Sequence, residues 1–469
     1  MSILFGFYSP DEGIIKRDGK EVTISDPNVA NELGIGMVHQ HFKLVEVFTV
    51  LENIILGVEP LKGKLVLNKN EARKKVIELS ERYGLNVDVD AYIEDISVGM
   101  QQRTEILKML YRDNDVLIFD EPTAVLTPQE IKELLQIMKN LAKEGKSILF
   151  ISHKLDEIME VADVCSVLRR GELVKTLDVK NTTKEELSRL MVGRDVIFTI
   201  DKKESKPTET ILKVRNLVME DKIHKGVNIV DDISFDVKRG EIVCIAGIDG
   251  NGQNEVVFGI TGLEKVKGGH VYLKEKDITD ESIHHRIKEG ISHIPADRHK
   301  YGLVLDYSLY YNSVLEEYTY NKFTKNRVFL NEKNMEEYTK TLEDKYDVRS
   351  GQGAKTVVRS MSGGNQQKAI IAREIERYHD LLIAVQPTRG LDVGAIENIH
   401  SQIIKDRDNN KAVLLVSFEL DEVMNLADRI LVMHKGKIAG EFKPKETTVE
   451  ELGLYMAGAK HNYEFKEEN

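Results

Sequence analysis

Asp120 and Glu121 are the residues best placed to do chemistry. They follow the apolar run Val116-Leu117-Ile118-Phe119 and are closed off by Pro122-Thr123. Of two adjacent carboxylates, one can hold Mg²⁺ through water while the other orients or polarises an attacking water. The run itself must present them. Four large apolar residues in succession predict a strand buried on both faces, as in a parallel sheet. The C-terminal end of such a strand is the ligand edge of an open α/β sheet. Pro122 stops the strand. A strand ending in an acidic turn would explain the same residues without chemistry, so their surroundings must decide.

The 469 residues suffice for two or more domains. With 41% hydrophobic and 31% charged residues the composition is that of a globular protein. A net charge of −12 argues against nucleic acid as the main partner, because phosphate binding needs a positive footprint. No apolar run approaches the roughly 20 residues that span a bilayer. The start, Met1 to Tyr8, lacks the basic region of a signal peptide. Cys165 and Cys244 sit in apolar runs and predict core residues of a reducing compartment.

The chain repeats itself. Gly13 matches Gly269 and Gly34-Ile35 matches Gly290-Ile291, both at an offset of 256 (269 − 13, 290 − 34). Ser97, Gly99 and Gln101-Gln102 match Ser362, Gly364 and Gln366-Gln367 at an offset of 265 (362 − 97). Pro122-Thr123 and Asp156-Glu157 recur at the same 265, as Pro387-Thr388 and Asp421-Glu422. Two halves of this size are a duplicated domain. The first is expected over 1–195 and the second over 211–469. The polar, aperiodic stretch 196–210 between them predicts a linker.

In the first half a charged helix is expected from near Asn70 to Leu85, and another from Ser97 to Tyr111. Thr127-Pro128-Gln129-Glu130 predicts a helix start, with Thr as cap and Glu three residues on. Lys146–Ile151 predicts the next strand. The second half adds Glu241–Ala246, a buried strand, followed by Gly247-Ile248-Asp249-Gly250-Asn251-Gly252-Gln253-Asn254. This has the spacing of a phosphate loop, whose glycines turn backbone N–H groups toward an anion at a helix N-terminus. Gln253 stands where that motif has lysine, and Asn254 where it has the Mg²⁺-binding hydroxyl. By the 256 offset Val257 matches Met1, so the segment Ile211–Val256 has no counterpart. The chain is expected to open inside a helix whose strand and loop lie upstream, as an N-terminally truncated form.

Ser97-Val98-Gly99-Met100-Gln101-Gln102-Arg103, then Asp120-Glu121, then His153 at the end of the next apolar run, resemble the nucleotide-binding domains of ABC transporters: signature, Walker B acids, switch histidine. Two fused copies, the first catalytic and the second degenerate, resemble the ATP-binding subunit of bacterial ABC importers for simple sugars and nucleosides. Gly250–Gln253, Ser362–Lys368 and Gln386-Pro387-Thr388-Arg389-Gly390-Leu391-Asp392 carry that likeness. Val38–Leu44 and Ala124–Glu130 lean toward the nucleoside branch. Val98 departs from the Ser-Gly-Gly of many signatures.

The resemblance implies two tandem α/β P-loop NTPase domains. Each has a mostly parallel sheet, flanking helices and a helical signature subdomain. It implies ATP and Mg²⁺ at two sites, each between one domain's phosphate loop and the other's signature. Glu121, His153 and Gln40 would be catalytic, with Asp120 and Gln40 toward the metal. Ser362, Gly363, Gly364 and Gln366 would complete that site. Gly247, Gly250, Gly252, Gln253 and Asn254 would face Ser97 and Gly99 at the other. There Asp120, Glu121 and His153 become Val385, Gln386 and Phe418, so no hydrolysis is expected. The implied function is an ATPase powering import of nucleosides or sugars, peripheral on the cytoplasmic membrane face. Its partners would be membrane-spanning permease subunits, with an extracellular substrate-binding lipoprotein acting indirectly and no nucleic acid. As a truncated form, the chain is expected to be impaired in hydrolysis. Two alternatives are a soluble twin-cassette protein acting on ribosomes, which calls for two intact phosphate loops and a long charged linker, and an inert product.

Overall fold

The computed structural model describes all residues except 39–42, 64–65, 124–125, 127, 153, 170, 194–201, 223–224, 327, 390, 392 and 466–469. The chain divides into two compact units, Met1–Asp195 and Val196–Asn469.

In the first unit, β1 (Ile35–Val38), β2 (Val116–Asp120) and β3 (Ser147–Ile151) form a parallel sheet in that order. Leu117, Ile118 and Phe119 of β2 are fully buried. An apolar run can be buried on both faces because helices cover both sides of a parallel sheet. Four helices carry the rest of the argument: α1 (Val50–Ile55), α2 (Lys69–Tyr83), α3 (Val98–Tyr111) and α4 (Pro128–Lys143). Buried side chains of all four pack with Leu117 and Phe119 in one core. A hairpin of β4 (Val164–Arg169) and β5 (Glu172–Asp178) forms a separate two-stranded sheet.

In the second unit, β6 (Thr210–Glu220) and β7 (Asn228–Lys238) start an antiparallel sheet, and β8 (Ile242–Gly247) leads into α5 (Gln253–Thr261). β9 (Gly268–Leu273) joins the antiparallel sheet beside β6. β10 (Ile291–Ile294), α6 (Leu309–Ser313), α7 (Glu332–Tyr346), α8 (Gly363–Glu376), β11 (Leu381–Val385), α9 (Val393–Asp408) and β12 (Ala412–Ser417) follow. β13 (Arg429–His434) and β14 (Lys437–Phe442) end the sheet. Its order is β10-β11-β12-β8-β13-β14, parallel up to β13 and antiparallel at β14. All six residues of β8 are buried, as a strand flanked on both edges requires.

The units correspond strand by strand: β2, β3, β4 and β5 recur as β11, β12, β13 and β14 at 265 (381 − 116, 412 − 147, 429 − 164, 437 − 172). The nine extra residues of the second unit enter in three steps. The offset is 256 at β10, 259 at Asn312 against Asn53, 263 at the caps Asn331 and Asn68, and 265 from Ser362.

The stretch 196–210 is not a loose tether at its described end. Lys202 Nζ donates to the carbonyls of Leu426 and Ala427 at 2.6 and 2.7 Å and pairs with Asp428 at 2.7 Å. Those carbonyls close the helix Leu420–Leu426 and need donors. Both cysteines are free; Cys244 is buried and Cys165, on the hairpin, only half-buried. Among the described residues no helix is long and apolar enough to cross a membrane.

Candidate functional site

β2 delivers Asp120 at its last position, half-buried. Burial raises its carboxyl above the ordinary carboxylate range, and the neighbouring Glu121 charge pushes the same way. Two mutually opposed carboxylates fit a hard divalent cation, which takes oxygen ligands and, if Mg²⁺, keeps several waters. No cluster of three or more potential ligands exists among the described residues. The pair therefore suits a cation that also takes phosphate and water oxygens.

Glu121 sits at φ +46°, in the left-handed region that a side chain disfavours. Its N–H donates to Ile151 O of β3 at 3.1 Å, which holds the turn. Gln386 repeats this at φ +46°, with its N–H on Val416 O at 2.7 Å. The second unit thus keeps the strained backbone and has lost the acids, since Val385 stands buried where Asp120 would be.

Gln40 and His153 lie outside the described residues. Position 153 is bracketed by Ser152, whose Oγ donates to buried Glu157 Oε2 at 2.7 Å and accepts the Lys154 N–H at 3.0 Å. The sequence reading gave Glu157 no role, although its recurrence as Glu422 was the signal. In the second unit Glu422 Oε1 instead meets Thr388 Oγ1 at 2.8 Å and His400 Nε2 at 2.9 Å. Phe418 packs into the core there.

Ser97 caps α3, its Oγ accepting the Met100 N–H at 3.3 Å. Gly99 lies against Glu130, whose Oε1 would be 1.9 Å from a Cβ there and would have to swing away. Ser362 caps α8, and its Oγ accepts from Asn365 Nδ2 at 2.9 Å. Gln366 is buried, bonded to Val358 O at 3.0 Å and to His299 Nε2 at 3.0 Å. It holds the signature helix and is not aimed at a ligand. Gly364 leaves room beside Leu391, at 3.5 Å from its would-be Cβ. The Arg298 guanidinium covers Gly363, 2.5 Å from a would-be Cβ. Burial and then the Arg389 charge hold the Arg298 pKa below its ordinary value. Cations beside a helix N-terminus suit a phosphate. Arg298 was missed in the sequence; its place just after the segment matching Gln40 was the available sign.

The glycine-rich loop takes its expected form, with Gly250 at φ +85° and Gly252 at φ +98°. A Cβ at Gly252 would strike Ile229 O at 2.5 Å. Gln253 is buried, and its Nε2 folds back onto Ile248 O at 3.0 Å. Asn251 Nδ2 reaches the same carbonyl at 3.0 Å and its Oδ1 accepts the Lys435 N–H at 2.7 Å. Asn254, the next residue of α5, is half-buried. Two neutral amides shape the loop, and neither offers a charge to a phosphate.

The ABC transporter family profile matches residues 1–124 and 230–389. The chain belongs to the ABC transporter family of ATPases. It is 52% identical over 462 residues to the nucleoside import ATP-binding protein NupA of Lactococcus lactis subsp. cremoris, covering 98% of this chain and 90% of that one. It is 53% identical over 460 residues to the guanosine import ATP-binding protein NupO of Bacillus subtilis, covering 98% and 89%. Among solved structures, the archaeal ribosome recycling factor in complex with a ribosomal stalk protein matches at a TM-score of 0.59. It is 20% identical, over 89% of this chain and 77% of that one. At that identity the likeness concerns the tandem fold alone.

Proposed function

We propose that this ABC protein is the ATP-binding subunit of a nucleoside importer, with simple sugars as the second substrate class. The observation that carries this reading is identity above 50%, over nearly the whole chain, to two proteins named for nucleoside and guanosine import. The alternative of a ribosome-acting protein loses ground for the same reason, because its structural counterpart shares only the fold. The subunit lies peripherally on the cytoplasmic membrane face, bound to membrane-spanning permease subunits, and an extracellular lipoprotein receptor chooses the substrate. The sequence reading placed the two domains at 1–195 and 211–469, and we keep those bounds for the functional units.

Mg²⁺ bound with ATP supplies charge neutralisation of the phosphates. Asp120 would hold it, and Glu121 would orient the attacking water from its left-handed turn. Gln40 and His153 complete this half. Ser362, Gly363 and Gly364, with Gln366 bracing their helix, present backbone N–H groups to phosphate. The second half binds nucleotide without turning it over. Gly247, Gly250, Gly252, Gln253 and Asn254 form its loop.

The test is ATP turnover and labelled-guanosine uptake with the permease subunits. Glu121→Gln should remove both, a loss of about a thousandfold or more in rate, with ATP still bound. Gln386→Ala should change neither by more than about twofold. Equal losses from the two variants would sink the assignment of roles. Uptake of ribose in preference to guanosine would move the substrate to the sugar class.

A further inference from the structure

Glu105 lies on α3, eight residues after Ser97, roughly 12 Å along the helix. It is only 2% exposed. Its Oε1 accepts the backbone N–H of Lys43 at 2.8 Å. Lys108, on the same helix, donates from Nζ to the Lys43 carbonyl at 3.3 Å. Two residues on, Asn53 of α1 takes both backbone groups of Val45, its Oδ1 accepting the N–H at 2.7 Å and its Nδ2 donating to the carbonyl at 3.0 Å. The backbone from Lys43 to Val45 belongs to no helix or strand, and these side chains do for it what a ladder would.

The second unit is a control supplied by the duplication. Asn312 holds Val304 in the same way, at 2.8 and 3.0 Å, and Arg373 replaces Lys108, donating to Gly302 O at 2.9 Å. The offsets are 259 for the backbone and 265 for the helix, so Glu105 matches Ile370. Ile370 is fully buried and sits 2.6 Å from a would-be Cβ on Gly302. An apolar side chain therefore does the packing at this position. A buried carboxylate is a costly substitute, since burial opposes its charge and raises its pKa while Lys108 and the Lys43 N–H pull it back. Two of the three clamps are common to both units. The carboxylate occurs only in the unit that also carries Asp120 and Glu121.

We propose that Glu105 is a positioning residue for ATP hydrolysis, tying the backbone at Lys43 to the signature helix so that the two move as one body. The inference rests on the ATPase reading above. Lys43 follows Gln40 by three residues, so whatever displaces the N-terminus of α3 at Ser97 is passed through Glu105 to the chain beside that glutamine. Without the carboxylate the helix still packs, as Ile370 shows, but its movement no longer carries the Lys43 N–H with it.

The test uses the full chain with Glu105→Gln and Glu105→Ile, reading amide exchange at Lys43 and Val45 together with kcat and KM for ATP. Glu105→Ile should speed exchange at Lys43 by about tenfold or more, leave Val45 as it is, and lower kcat about tenfold at nearly unchanged KM. Glu105→Gln keeps an acceptor oxygen and should recover most of both changes. Fast exchange at Lys43 with kcat intact would overturn the proposal, as would equal losses from Gln and Ile, or no change in exchange. If Glu105→Ile does not fold, Lys108→Met releases the same backbone from its carbonyl side. A fall in kcat without a change in KM in Lys108→Met then supports the proposal, and an unchanged kcat in that variant refutes it. Turnover that survives Glu121→Gln would instead remove the catalytic role given to Glu121, and with it the site reading on which this inference rests.

Discussion

Five strands recur in both units in the same order, yet only in the second do all five join one sheet. In the second, β8 lies between β12 and β13 and pairs with both. In the first, β3 has β2 on one side and no strand on the other among the described residues, and the β4–β5 hairpin stands as a separate sheet. Leu149 is 37% exposed where its match Leu414 is 0%, and Leu168 is 69% exposed where Met433 is 0%. One strand therefore decides whether five matched strands close into one core. Each large apolar side chain left uncovered forgoes roughly 1.5–3 kcal/mol, against a whole-domain stability of about 5–15 kcal/mol.

The largest expected effect comes from giving β3 the neighbour that β12 has. A copy of residues 211–256 can be fused ahead of Met1, with Gln253→Lys and Asn254→Ser in the copy so that a cation and a hydroxyl face the phosphates. By the 256 offset this places a β8-type strand and a charged loop in the register of the second unit. Turnover should rise by about a hundredfold or more, because catalysis of phosphoryl transfer is chiefly positioning and charge stabilisation. The amides of β3 should become as protected from exchange as those of β12. No gain in protection would mean that the slot beside β3 is not shaped for a strand.

Without that addition, limited proteolysis should separate the units. The exposed edge of β3 and the detached hairpin predict cleavage in 140–180 at least about tenfold faster than in 410–445, with the fragment from about Thr210 surviving. Equal resistance of both units would break the comparison.

Much of this was legible in the sequence. β2 and β8 were readable as unbroken apolar runs, α3 by its cap, α4 by the proline at its start (its expected cap, Thr127, lies outside the described residues), and the loss of Asp120 and Glu121 in the second unit from the 265 offset alone. The nine-residue excess was visible only as a sum, because its three parts fall in loops without periodicity. Glu105 could not be found. A lone Glu in a helix reads as solvated, and its backbone partner Lys43 lies 62 positions away. The folded-back Gln253 was invisible for a different reason: motif spacing fixes where a residue sits, not whether its amide turns outward or onto Ile248.

A smaller effect concerns Asp120 against Val385. Burial and Glu121 raise the Asp120 pKa above its unfolded value. Protonation is therefore favoured by folding. The stabilising contribution is full below the unfolded pKa and is lost as pH rises through the folded one. At neutral pH without divalent cations Asp120→Asn should stabilise the first unit by a few degrees, and the gain should shrink on acidification. Half-burial tempers the size. Val385→Asp should do the reverse in the second unit. Thermal scans between neutral and acidic pH decide it, and a gain that grows on acidification would contradict the assignment.

The smallest effect isolates the strained turn. Glu121 and Gln386 share φ +46° and a backbone bond to the next strand, but only Glu121 carries a carboxylate. A left-handed conformation costs a side-chain-bearing residue about 1–2 kcal/mol, and glycine escapes that cost. Glycine also loosens the unfolded chain, which takes back about 0.4–1 kcal/mol. Its N–H still reaches Val416 O, so the turn keeps its anchor. Gln386→Gly should therefore stabilise the second unit by about 0.5–1 kcal/mol, a rise in Tm of roughly 1–3 °C. Glu121→Gly should give a similar gain in the first unit while removing turnover. If Gln386→Gly lowers Tm, the side chain is holding something that the loss of the acid did not abolish, and the second unit is then more than an inert copy of the first.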